Sequence, residues 1–169
     1  MTIIHKKLCM IGDFAVGKTS LVRRFLTNVF SEDYITTVGV KIETRTVSIS
    51  ETDAVKLVVW DIAGADKLDA LRSNYLLGAA GFLLVADGTR RNTLESVFEL
   101  KSTIESQVGT IPSRLVINKT DLRDNWELTR DDYEKLAGLD IPFVETSAKS
   151  GEHVETVFLD IARELWRSK

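Results

Sequence analysis

Gly12-Asp13-Phe14-Ala15-Val16-Gly17-Lys18-Thr19 follows directly on the apolar run Leu8-Cys9-Met10-Ile11, at what reads as a strand-to-helix junction. Its spacing is Gly-x4-Gly-Lys-Thr, the pattern of a loop that wraps phosphate. Glycine lets the backbone curl, and the amides of the curl and of the new helix's N-terminus point at the anion. Lys18 adds a cation for the β- and γ-phosphates, and Thr19 offers a hydroxyl to Mg²⁺, a hard ion that prefers oxygen ligands. The candidate phosphate-side residues are therefore Phe14, Ala15, Val16, Gly17, Lys18, Thr19 and Ser20. A glycine-rich turn that matches by accident is the alternative, and the stretch alone says nucleotide without saying which one.

Outward from this loop, short and mostly branched apolar runs at residues 8–11, 55–60, 81–86, 115–117 and 141–144 read as parallel strands buried on both faces. Between them lie helix-period segments. The clearest is Val154, Val157, Phe158, Ile161, Ala162 and Leu165, one apolar stripe that packs on the sheet. Residues 40–49 differ: Val40, Ile42 and Thr44 alternate with Lys41, Glu43 and Arg45 before the Ser50-Glu51-Thr52-Asp53 turn, which predicts an antiparallel edge hairpin. The expected fold is a three-layer α/β domain of about six strands, mostly parallel with one antiparallel edge strand, and ligands beyond the strands' carboxyl ends.

The composition agrees with this. At roughly 150 residues per domain, the 169 residues argue for one domain over 1–169, and no Gly/Ser-rich linker or repeat divides them. Apolar residues at 44% and charged residues at 28% exclude a disordered chain or a heptad-only coiled coil. A net charge of -3 supplies no basic field for a nucleic-acid backbone and no polybasic tract for anionic lipid. The single cysteine, Cys9, reads as a small core residue in a reducing compartment. With no signal-like segment and no apolar run near about 18 residues, the expectation is a soluble cytoplasmic chain without its own prenyl or myristoyl anchor. His5 and His153 lack metal-spaced companions, and the charged cluster 130–135 reads as a solvated helix face.

Three further loops fall at the same sheet edge. Asn118-Lys119-Thr120-Asp121 follows the strand at 115–117, and an ionised Asp121 can accept from both N1–H and the exocyclic amine of guanine, a donor pair that adenine lacks. The alternative is that Asn118 and Asp121 merely cap the turn. Ser147-Ala148-Lys149, after the next strand, adds an amide near the base oxygen and a lysine stem able to cover the ring. Asp61-Ile62-Ala63-Gly64 ends the strand beside that of the phosphate loop. Its aspartate can hold Mg²⁺ through a water, and Gly64 can bring a backbone N–H to the γ-phosphate with no side chain in the way.

With these motifs in this order, the chain resembles a small GTPase of the Ras superfamily, most like the Rab branch, over almost its whole length. The stretch Phe30-Ser-Glu-Asp-Tyr34-Ile-Thr-Thr37-Val-Gly-Val resembles the Rab first switch, and Trp60-Asp61-Ile-Ala-Gly64 and Glu145-Thr-Ser-Ala-Lys149 match as well. The resemblance implies the P-loop NTPase G domain with about six strands and about five helices, with GTP or GDP and Mg²⁺ as cofactors. It implies a nucleotide site that also includes Phe30, Tyr34, Thr37, Gly64, Asn118, Lys119, Asp121, Leu122, Ser147, Ala148 and Lys149. Metal contacts would come from Thr19, Thr37 and, through water, Asp61; Lys18, Thr37 and Gly64 would be catalytic. Implied partners are effectors at the two switches, near Ile42, Trp60 and Tyr75, together with an exchange factor and an activating protein. Ile42 stands where Rab proteins usually have an aromatic, and Trp60 and Tyr75 can equally be packing residues.

Two positions depart from the family. Ala65 follows Gly64 where the family has the glutamine that orients the attacking water, and a methyl group makes no hydrogen bond. Losing one such donor typically costs about 10²–10³ in rate. Phe14 stands where Ras has glycine and Rab proteins a small residue, beside the expected γ-phosphate, where it would hinder an arginine finger worth about 10³–10⁵ in rate. Alternatively Phe14 swings away, or Asp66 or a partner's side chain positions the water. The resemblance thus implies a guanine-nucleotide switch with very slow GTP hydrolysis, or else a hydrolysis-deficient, GTP-bound interaction module. The base assignment has a direct test: Asp121→Asn is expected to weaken GDP binding and favour xanthosine diphosphate, whose extra carbonyl replaces a donor by an acceptor, and unchanged GDP affinity would refute it.

Overall fold

The computed structural model describes residues 2–33, 37–64 and 74–168. Six strands, β1 (Thr2–Gly12), β2 (Val40–Ser48), β3 (Asp53–Ile62), β4 (Gly81–Asp87), β5 (Ser113–Asn118) and β6 (Phe143–Glu145), form one sheet in the order β2-β3-β1-β4-β5-β6. Only β2 runs antiparallel to its neighbour. The described residues also form four α-helices: α1 (Lys18–Thr27), α2 (Arg91–Val108), α3 (Arg130–Ala137) and α4 (Val154–Arg167). Short 3₁₀ turns at Asn74–Leu76 and Thr120–Asn125 complete the described elements. This is the expected α/β G-domain fold.

Side-chain alternation divides the core between the two faces of the sheet. Leu8 and Met10 of β1 pack with α1 and α4, while Cys9 and Ile11 pack with α2 and α3. All six residues of the 154–165 stripe are buried, and Phe158 stacks on Phe25 of α1 with ring centroids 4.0 Å apart. Cys9 is a core residue whose thiol burial pushes up to about 12, which leaves it inert as a nucleophile at neutral pH.

Three details differ from the sequence expectation. β1 begins at Thr2, because β3 offers it a parallel ladder partner from Asp53 onward; in its outer half Ile4 packs on the core but Ile3 is 46% exposed and charged residues follow, so no apolar run marks it. β6 is displaced to 143–145. Pro142 has no N–H for the ladder and contributes only its carbonyl, to Leu115 N at 3.0 Å, while Ile141 is buried ahead of the strand. The cluster at 130–135 is not wholly solvated: Asp132 is buried, completes a capping box with Thr129, and accepts two close bonds from Arg91 of α2, which hold its carboxyl well below the usual range. His153 turns a ring nitrogen to Glu145 O at 2.9 Å.

With β1 between β3 and β4, the order of strands reverses beside the carboxyl end of β1, where a crevice opens in sheets of this kind. Phe158→Ala is expected to lower unfolding free energy by about 3–5 kcal/mol, since it removes a ring with no exposed surface and leaves a cavity against Phe25. Denaturant titration at fixed ligand and ion concentrations checks this, and a loss below about 1 kcal/mol would contradict the packing account.

Candidate functional site

The crevice holds a cavity of about 340 Å³. Its wall includes Phe14, Ala15, Gly17, Lys18, Thr19 and Ser20 from the phosphate loop and α1, Phe30 and Thr37, Gly64 after β3, Asn118, Lys119, Asp121 and Leu122 after β5, and Ala148 and Lys149 after β6. Val16 and Ser147 are fully buried behind this wall. Tyr34, Ala65 and Asp66 lie outside the described residues. Ser31, Glu32, Asp33, Ile62 and Ala63, which lie within the quoted motifs but were given no role, also line the cavity, as does Arg23, which no motif marked.

The loop from Gly12 to Gly17 has every carbonyl paired. Lys18 Nζ donates to Gly12 O (2.8 Å) and Asp13 O (2.9 Å), and Arg90 Nη2 donates to Phe14 O (2.8 Å). Lys119 Nζ donates to Ala15 O (2.9 Å), Asn118 Nδ2 to Val16 O (3.1 Å), and Leu21 N to Gly17 O (2.9 Å). Gly17, at φ +103°, sits so close to Asn118 that a Cβ would come within 2.3 Å of its Nδ2. Gly64 is pressed against the same loop, where a Cβ would meet Lys18 Nζ at 2.6 Å and Gly12 O at 2.7 Å. No acidic side chain occupies the first turn of α1, so its N-terminus remains suited to an anion.

At the metal corner, Thr19 Oγ1 donates to Asp61 Oδ2 (2.5 Å), the Thr19 and Thr37 hydroxyls lie 2.5 Å apart, and Thr37 Oγ1 reaches Asp61 Oδ2 at 3.4 Å. The other carboxylate oxygen, Asp61 Oδ1, is buried without a hydrogen-bond partner among the described residues. Burial raises the Asp61 pKa despite hydrogen bonds from Thr19 and Thr37 and the nearby Lys18 and Lys41 charges. Two hydroxyls and a carboxylate with an unused oxygen are hard donors that fit Mg²⁺ held partly through water.

At the base corner, Asn118 Oδ1 accepts from Thr146 Oγ1 and Ala148 N, both at 3.1 Å, and so joins the loops after β5 and β6. Ser147 Oγ donates to Asp121 Oδ1 at 2.6 Å; it orients the carboxylate rather than lining the cavity. Arg24 of α1 supports the same loop from below, donating to Ala148 O at 2.8 Å and to Lys149 O. Thr120 donates to Glu152 across the two loops. Phe30 both lines the cavity and packs on the core. Away from the cavity, Ile42 (48% exposed) lies opposite Trp60 on neighbouring strands, the Trp60 and Tyr75 rings are 6.3 Å apart, and Lys7 Nζ sits 3.6 Å from the Trp60 ring centroid. Among the described residues no helix is long and apolar enough to cross a membrane.

The sequence profile of the Ras family matches residues 7–167. Human Ras-related protein Rab-8B is 35% identical over 161 residues, covering 94% of this chain and 77% of that protein. Ras-related protein Rab-13 of Rattus norvegicus and GTP-binding protein ypt1 of Schizosaccharomyces pombe are 37% and 36% identical, each over 94% of this chain and 79% of its own length.

Burial lowers the Lys18 pKa to about 8, opposed by Asp61 and Asp13 and assisted by Arg90. An entering anion favours the ammonium, so above pH 8 binding takes up a proton and must weaken as pH rises. GDP affinity is expected to fall about tenfold between pH 7 and 9. Calorimetry in buffers of different ionisation heat checks this, and no proton uptake at pH 9 would sink it.

Proposed function

The chain belongs to the Ras family, and from that premise we propose that it is a guanine-nucleotide switch of the Rab type, residues 1–169 forming one G domain that binds GTP or GDP with Mg²⁺ and hydrolyses GTP slowly. The observation that carries the reading is the convergence of three chemistries on one cavity: the amide-bearing loop with Lys18, the Thr19–Thr37–Asp61 corner, and Asp121 held by Ser147.

In this reading the amides of residues 14–20 and the Lys18 ammonium hold the phosphates. Asp121 accepts from the guanine N1–H and amine, a backbone amide of the 147–149 loop serves the base oxygen, and Phe30, Lys119, Leu122 and Lys149 enclose the ring. Thr19, Thr37 and, through water, Asp61 hold Mg²⁺, which when bound neutralises phosphate charge. Thr37 and the Gly64 backbone engage the γ-phosphate, and its loss removes the contacts that hold these two residues to the nucleotide. Lys18, Thr37 and Gly64 are the residues of this chain assigned to the hydrolytic step. Effectors read the face around Ile42, Trp60 and Tyr75; a partner that prefers the GTP form stabilises that form by the same differential affinity, and an exchange factor and an activating protein act on the cycle.

Slow hydrolysis rests on Ala65 and is supported by Phe14, which is 43% exposed on the cavity wall, where it narrows the approach of a partner's arginine. Because both substitutions bear on one step, a GTP-loaded interaction module remains the second reading. Nucleotide extracted from purified protein and single-turnover hydrolysis of bound GTP test the proposal. Ala65→Gln is expected to accelerate phosphate release by about 10–10²-fold, and an unchanged rate would remove Ala65 as the cause.

A further inference from the structure

Ala15 holds a left-handed backbone, φ +61°, which a residue with a side chain adopts at a steric cost. Two peptide planes set that conformation, one on each side of the Ala15 Cα. The carbonyl of each is held by a cation: Phe14 O by Arg90 Nη2 at 2.8 Å, and Ala15 O by Lys119 Nζ at 2.9 Å. Both cations meet the same atom behind the loop, Asp87 Oδ2, Lys119 Nζ at 2.7 Å and Arg90 Nε at 3.1 Å. Asp87 is itself fixed at the end of β4, buried, with Oδ1 accepting from Thr89 N (2.9 Å) and Thr89 Oγ1 (2.7 Å). The described chain contains no cis peptide, so each carbonyl turned toward a cation sets the amide of its own plane on the opposite side.

We propose that Asp87, acting through Arg90 and Lys119, is a positioning residue that clamps the two peptide planes flanking Ala15 and so aims the Ala15 and Val16 amides at the phosphates of the nucleotide. The inference rests on the guanine-nucleotide reading above. Arg90 lies outside every motif of the sequence, yet its planar fork spans Asp87 and the Phe14 carbonyl through two different nitrogens, Nε and Nη2. Lys119 belongs to the base-side loop, so the clamp also fixes the phosphate loop relative to the base site.

Release of a fluorescent GDP analogue from the full chain tests this. Arg90→Met is expected to accelerate release roughly 5- to 50-fold, as befits loss of a charge-assisted hydrogen bond. Asp87→Asn should also accelerate release, and adding Arg90→Met to it should change little, because the two residues act as one unit. In an Ala15→Gly background, where the left-handed backbone needs no enforcement, the effect of Arg90→Met should shrink by at least about threefold, a dependence that general destabilisation would not produce. GDP binding by the parent chain together with an Arg90→Met rate within about twofold of it, or an effect equal in both backgrounds, would overturn the clamp alone. Failure of the parent chain to bind GDP would overturn the nucleotide reading and the clamp with it.

Discussion

A loop that turns its amides toward an anion turns its carbonyls away, and each carbonyl must find a donor, because an unpaired buried peptide group costs as much as a lost hydrogen bond. The six carbonyls from Gly12 to Gly17 meet this constraint with donors from four places: Lys18, the α1 backbone at Leu21, Arg90 after β4, and Asn118-Lys119 after β5. The shape of the phosphate loop is therefore not a property of its own eight residues. Two neighbouring strands must end at the right height to deliver those donors, and the sheet order that sets β4 beside β1 and β5 beside β4 puts them there. The fold thus prepares the site by satisfying the side of the loop that no ligand touches.

What could be read in the sequence follows from this division. Residues of the motifs carry their chemistry at a fixed spacing from a strand end, so Lys18, Thr19, Asp61, Asn118 and Asp121 were legible as a set, although Asn118 spends its amide on Val16, Thr146 and Ala148, and the α4 stripe was legible through its period. Partners from outside the motifs were not. Arg90 reaches Phe14 across 76 positions of sequence, and Arg24 reaches Ala148 across 124, and no local pattern encodes either pairing. Ser147 was legible as a site residue, but spacing cannot tell whether its hydroxyl meets the ligand or the neighbouring loop; the bond to Asp121 decides for the loop. The same blindness hid the outer half of β1, whose only signal is its partner strand, and the buried face of Asp132. The lengths of the elements, and every contact between loops, needed three dimensions.

The electrostatics of the cavity also bear on the proposal that a nucleotide and a divalent cation bind there together. Burial acts in opposite directions on its two central charges: it drives Lys18 toward losing its proton and Asp61 toward keeping one. Each charged form is held only in part by its neighbours, Lys18 by two carbonyls and Asp61 by the Thr19 and Thr37 hydroxyls, with Asp61 Oδ1 still unserved. A polyphosphate alone would favour the Lys18 ammonium but would add negative charge beside a carboxylate already penalised by burial. A divalent cation alone would satisfy Asp61 but would stand near an ammonium with no anion between them. Together they oppose each other's cost, so by linkage each must raise the affinity for the other, with no conformational pathway required. Thr37 belongs to this same corner, and its hydrogen bonds to Thr19 and Asp61 tie its position to the charge balance of the cavity.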